Sequence, residues 1–86
     1  MRKYYKVVLT KKAKKQLDKL SDIIAEPIFK AISGLEENPR PLGYKKLKGR
    51  EGYRIRCGKY RIIYEIIETE LIISVITLGH RKDIYE

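Results

Sequence analysis

Three arginines in one short stretch have types and spacing suited to chemistry on an anion. Residues Tyr53 to Tyr64 read YRIRCGKYRIIY. Tyr53, Ile55 and Cys57 alternate with Arg54 and Arg56, which gives an extended segment one apolar and one cationic face. Gly58-Lys59 separates two β-like runs, and glycine at the first position suits a two-residue hairpin loop. That loop sets the register: Cys57 opposite Tyr60, Arg56 opposite Arg61, Ile55 opposite Ile62, Arg54 opposite Ile63 and Tyr53 opposite Tyr64. Arg56 then faces Arg61, and Arg54 lies diagonally from it. Like charges across strands are destabilising. One reason to gather three guanidinium groups is a multiply charged anion bound among them. The alternative is a solvated strand face whose arginines splay apart.

The tail, His80-Arg81-Lys82-Asp83-Ile84-Tyr85-Glu86, follows an apolar strand that Gly79 is expected to end. A return of that tail brings His80, Arg81 and Tyr85 to the arginine face. Cleavage of an RNA phosphodiester needs a base for the 2′-hydroxyl proton, cations for the phosphorane charge and an acid for the leaving 5′-oxygen. An aromatic ring can stack on an exposed base and splay the strand. Arg54, Arg56, Arg61 and Arg81 supply cations, and Tyr85 supplies a ring, unless it packs as a core anchor. Arginine is a poor base. His80 is the one histidine and titrates nearest neutrality, with a solvent-facing strand end as its alternative role. Glu65 shares the arginine face by parity, as a base or as a structural ion-pair partner. Cys57 faces the expected core as inert packing. No phosphate-binding glycine loop, metal-ligand cluster or serine triad is present, so neither a cofactor nor a metal is expected.

The 86 residues suit a single domain, 1–86, large enough for a modest core. Twenty Lys and Arg against 11 Asp and Glu give a net charge of +9, which points to a polyanionic partner. One cysteine excludes an internal disulfide and a cysteine-based metal site. Without a signal peptide or a membrane-spanning apolar run, the expected location is the cytoplasm, with no membrane partner.

The elements that must carry these residues follow from pattern. Tyr4 to Leu9 reads as a short strand. Thr10 is a candidate N-cap for a helix with Ala13, Gln16, Leu17 and Leu20 on its apolar stripe and a lysine face elsewhere. Ile28, Ala31, Ile32 and Leu35 mark a second helix, in which Pro27 either occupies the first turn or interrupts a helix begun near Asp22. Asn38-Pro39-Arg40-Pro41 ends it. Pro41 to Gly52 reads as a loop whose Lys45, Lys46, Lys48 and Arg50 adjoin the arginine strand. Leu71 to Leu78 reads as a central strand whose facing depends on the length of the preceding turn. The fold class is α+β: an N-terminal strand, a two-helix hairpin, then a three-stranded antiparallel meander, with the helices packed on one face of the sheet. The face of Tyr53, Ile55, Cys57, Tyr60, Ile62, Tyr64 and Ile66 is expected to take the helices and the arginine face to be open.

Taken together, KKLKG, YRIRCGKYRIIYEI and VITLGHRKDIY resemble the RelE/ParE superfamily of bacterial and archaeal toxins, most of all its RelE-type mRNA interferases. The resemblance spans nearly the whole chain and is most specific in the third strand and the GHRK-x-x-Y tail. It implies a toxin of a type II toxin–antitoxin system, a metal-independent endonuclease that cuts mRNA in the ribosomal A site, leaves a 2′,3′-cyclic phosphate and so inhibits translation. It also implies a cognate acidic antitoxin that wraps the toxin. Two family lysines fall on Arg54 and Arg56, which departs from a lysine base. The transition-state arginine falls on Arg61, the leaving-group arginine on Arg81 and the mRNA-stacking tyrosine on Tyr85. His80 stands where RelE has lysine, and some relatives use tail histidines. On this reading Lys45, Lys46, Lys48, Arg50 and the lysine-rich helix grip ribosomal RNA. Two alternatives stay open: a ParE-like gyrase inhibitor without nuclease activity, and a basic non-catalytic binding module.

Overall fold

The computed structural model describes residues 4–82 and Ile84. Its elements in chain order are β1 (Lys6–Leu9), α1 (Lys11–Asp18), α2 (Asp22–Gly34), β2 (Lys45–Lys46), β3 (Tyr53–Cys57), β4 (Tyr60–Ile67) and β5 (Ile72–His80). The hairpin of β3 and β4 has the expected register, from Cys57↔Tyr60 to Tyr53↔Tyr64. Its two-residue turn is possible because Gly58 takes a φ of 60°, a left-handed conformation that costs glycine little.

The sheet order is β1-β5-β4-β3-β2. β3, β4 and β5 form the antiparallel meander, and β1 joins the far edge of β5 in parallel, Lys6↔Ile72 through Leu9↔Val75. The result is a mixed sheet in an α+β fold. Both helices lie on the face that alternation assigns to them. Ala13, Ile28, Ile32 and Leu35 pack there against Ile55, Ile62, Tyr64, Ile73, Val75 and Leu78. Each fully buried large side chain contributes about 1.5–3 kcal/mol.

Where β1 ends, the start of α1 takes over the exposed edge of β5. Thr10 donates its N–H to the Val75 carbonyl at 3.0 Å and its hydroxyl to the Ile76 carbonyl at 2.7 Å, while its Oγ1 accepts from the Ala13 N–H at 3.1 Å as the helix cap. Gln16 Oε1 then accepts from the Leu78 N–H at 2.9 Å. A sheet edge that would otherwise attract another strand is covered by this helix. Pro27 proves to lie inside α2, which starts at Asp22. Both Pro27 and Ile23, whose carbonyl loses its helical donor, are exposed, so solvent satisfies the break.

Three expectations need correction. Pro41–Gly52 is not wholly loop: Lys45 and Lys46 pair with Arg54 and Tyr53 as β2. β5 does not stop at Gly79 but runs through it to His80. And the arginine face is not open along its length. A second, smaller core of Leu47, Ile63 and Ile84, with Ile76 against it, covers its middle. Ile76 reaches that face through a β-bulge: Ile63 pairs with Thr77 but Tyr64 with Val75, so one extra residue of β5 is inserted between them. Apolar side chains on that face had to be covered, and Leu47 and the tail do it.

Candidate active site

The hairpin tip, the end of β5 and the first tail residue meet at one corner of the sheet. Arg56 and Arg61 are a cross-strand pair, and Arg61 is in turn opposite Gly79. The N–H of Arg81 donates to the carbonyl of Lys59 at 2.8 Å, which ties the tail to the hairpin turn. Arg56, Lys59, Arg61 and Arg81 thereby line one small cavity of about 90 Å³, with Gly58 and Tyr60 completing its wall. That is roughly the liquid volume of three waters, the scale of a phosphoryl group. Among the described residues, no carboxylate lines it.

Arg54 differs from the others. It is 4% exposed, the one buried charged residue among the described residues. Burial, and then the charges of Arg56 and Arg61, hold its guanidinium below the ordinary arginine range. The site is therefore a cationic cluster, with one member buried and four others around a cavity. Such a cluster attracts an anion of charge two or more.

Gly79 explains how the tail is held. A Cβ at this position would lie 3.1 Å from two side-chain atoms of Ile84. The absence of a side chain lets Ile84 pack onto the strand and anchor the chain just beyond Arg81. Gly79 is thus a point of close approach rather than a strand breaker.

Not every expected residue joins the cluster. His80 sits opposite Tyr60, whose ring it meets edge-on at 5.6 Å, and lines a separate groove with Lys12 and Gln16 of α1 and its C-cap Lys19. Its Nδ1 accepts from the Lys82 N–H at 3.2 Å. Parity is the reason: Gly79 shares the face of Arg61, so His80 takes the other. Tyr85 lies outside the described residues. Glu65 is half-buried further along β4, opposite Ser74. Lys45 stands beside Arg54 across β2 and β3, whereas Lys46 pairs with Tyr53, and Lys48 and Arg50 are exposed on the connecting loop. Lys59 is the residue that pattern reading missed. Its signal was available, since a turn residue next to the Arg56–Arg61 pair is adjacent to any tail that returns there. Among the described residues, no group of His, Cys, Asp and Glu is arranged to hold a metal, and no helix is long and apolar enough to cross a membrane.

A family model described as the ParE toxin of type II toxin–antitoxin systems matches residues 7–85. The chain belongs to the RelE/ParE superfamily of toxins. A putative RelE-like toxin protein of Escherichia coli is 31% identical over 86 residues, with 94% of this chain and 90% of that protein covered. The mRNA interferase toxin RelE of E. coli K12 is also 31% identical, over 74 residues, covering 83% and 77%. Among solved structures, the archaeal RelE–RelB complex of Pyrococcus horikoshii OT3 contains a chain that superposes with a TM-score of 0.82 at 28% identity, covering 94% of this chain and 99% of that one. This RelE-like toxin thus shares its fold and nearly its full length with toxins of type II systems.

Proposed function

We propose that this toxin is a metal-independent, ribosome-dependent mRNA endonuclease. The observation that carries the reading is the convergence of Arg56, Lys59, Arg61 and Arg81 on one phosphate-sized cavity beside the buried Arg54. The scissile phosphate sits among these cations. The 2′-oxygen attacks the adjacent phosphorus, the P–O bond to the 5′-oxygen breaks, and the products are a 2′,3′-cyclic phosphate and a 5′-hydroxyl. The cluster acts most strongly on the phosphorane, because negative charge is greatest there. Arg81, on the cavity wall, stabilises or protonates the leaving oxygen. The 2′-hydroxyl proton passes to water, since arginine is a poor base. Tyr85 stacks on a base of the message. The lysines of α1, with Lys45, Lys46, Lys48 and Arg50, hold ribosomal RNA.

The solved relatives named as RelE–RelB and RelBE complexes support a cognate antitoxin, and the net charge of +9 suits an acidic one. The test is primer extension on a translated message with ribosomes present. Cleavage by the wild type, and its loss in Arg81→Ala, are the expected results; uncut message with wild-type protein refutes the reading. A second reading, gyrase inhibition, is favoured by the ParE description of the family model. Inhibited supercoiling with intact message selects it.

A further inference from the structure

A second and wider cavity, of about 570 Å³, runs along the outer edge of β3 between α2 and the Pro41–Gly43 loop. It exists because β2 is short. Continued two more pairs of residues, the Lys45↔Arg54 register would set Gly43 opposite Arg56, but Gly43 takes a φ of 90° and the loop leaves the sheet. Lys30, Lys45, Arg54 and Arg56 supply its cations, and Ala31 and Ile55 part of its apolar surface. No carboxylate lines it among the described residues. Arg56 lines this groove and also the small arginine cavity, so the two adjoin.

We propose that this groove is a nucleotide subsite, which takes a nucleotide next to the scissile phosphate, its phosphate on Lys30 and Lys45 and its base on the apolar wall. The inference rests on the reading of the toxin as an RNA-cutting enzyme. Its volume falls within the ~300–1,000 Å³ of small-ligand sites. Cations along one track with an apolar surface beside them are what single-stranded RNA requires. An extended acidic peptide is the competing occupant, and the sheet edge argues against it. In the hairpin register the odd-numbered residues of β3 bond inward to β4, and the outward groups belong to Gly52, Arg54 and Arg56. The Gly52 carbonyl already accepts from the Leu47 N–H at 3.0 Å, and Arg54 is opposite Lys45 in β2. Only Arg56 remains to pair with an added strand, too short a ladder for strand addition to supply affinity.

Gly34 offers a direct test. It closes α2 on the groove wall, and a Cβ there meets no heavy atom within 4 Å. Gly34→Leu therefore starts a side chain in open space at the groove wall, and circular dichroism confirms that the variant is folded. Lys30→Gln removes a cation whose side chain is 75% exposed, so folding is not in question. Binding of non-cleavable 2′-O-methyl dinucleotide and hexanucleotide probes is followed by fluorescence anisotropy. Both variants are expected to weaken the hexanucleotide by about tenfold and leave the dinucleotide unchanged. Lys30→Gln also lowers the hexanucleotide salt slope by about 0.7. Wild-type hexanucleotide affinity in both variants overturns the subsite. So does retained RNA affinity with loss of binding to a glutamate-rich peptide, which assigns the groove to a peptide. If the wild type cuts translated message and the variants bind RNA normally, only the subsite falls. If the wild type neither binds these probes nor cuts, the nuclease reading falls and the subsite with it.

Discussion

At the scale of single residues, Arg54 is a buried cation with the charges of Arg56 and Arg61 acting on it. Arg54→Met keeps the length of the side chain and removes its charge, and primer extension is expected to show weaker cleavage. Arg81 is exposed, so Arg81→Ala should change stability by less than about 0.5 kcal/mol. Its effect on cleavage should be about 10²–10³-fold, the usual cost of one donor to a developing anion. Tyr64 gives a pH signature unrelated to catalysis. Its hydroxyl donates to the Pro39 carbonyl at 2.6 Å, and burial pushes the phenol up to about 12 from 10.0. A pKa raised in the folded state means the unfolded chain ionises first. The stability it contributes is complete below pH 10 and is lost as pH rises towards about 12. Tyr64→Phe should cost about 1 kcal/mol at neutral pH and remove that part of the alkaline loss, as measured by urea titration at each pH.

At the scale of elements, three short segments hold the site. The Gly58-Lys59 turn sets Arg56 against Arg61, β5 carries Arg81 to the turn, and Ile84 pins the tail. Gly79→Val should displace Ile84, because even a Cβ would be 3.1 Å from it. The expected result is cleavage reduced about tenfold with helices and sheet intact by circular dichroism, since a small misplacement of a catalytic group costs about that much or more. α1 acts on stability instead. Thr10→Ala removes both the helix cap and the bond to Ile76, and should cost about 1–2 kcal/mol with earlier exchange of the β5 amides. Alternation and capping patterns are legible in the sequence where they are local: the hairpin register, the helix-facing side of β3 and β4, and the Thr10 cap. The facing of β5 was not, because it depends on a four-residue connection, Glu68–Leu71, with Leu71 at a φ of 54°, and on a bulge at Ile76. Neither has a distinctive residue signal.

At the scale of the whole molecule, the charge of +9 is spread over the lysine face of α1, the loop after β2 and the arginine corner. A ribosome-bound reading of those surfaces predicts steep salt dependence. If about six or more phosphates are contacted, affinity for ribosomes should fall by about 10³ or more between roughly 50 and 200 mM salt. Sedimentation with ribosomes at several salt concentrations measures the slope; a flat profile argues for a target that is not nucleic acid.

What the sequence alone determined is the local arithmetic. A glycine-led two-residue turn and strict alternation set which arginines face each other, which side chains meet the helices, and which family the chain resembles. What only the tertiary structure decided depends on partners distant in sequence. The parallel seating of β1 on β5, the cover of Leu47 and Ile84 over Ile63, and the burial of Arg54 depend on remote segments, and no local pattern encodes them. That His80 lies away from the arginine cavity and Lys59 lies on it has the same cause. Whether a residue joins the cluster depends on strand parity through a bulged sheet, and on where the tail crosses the turn.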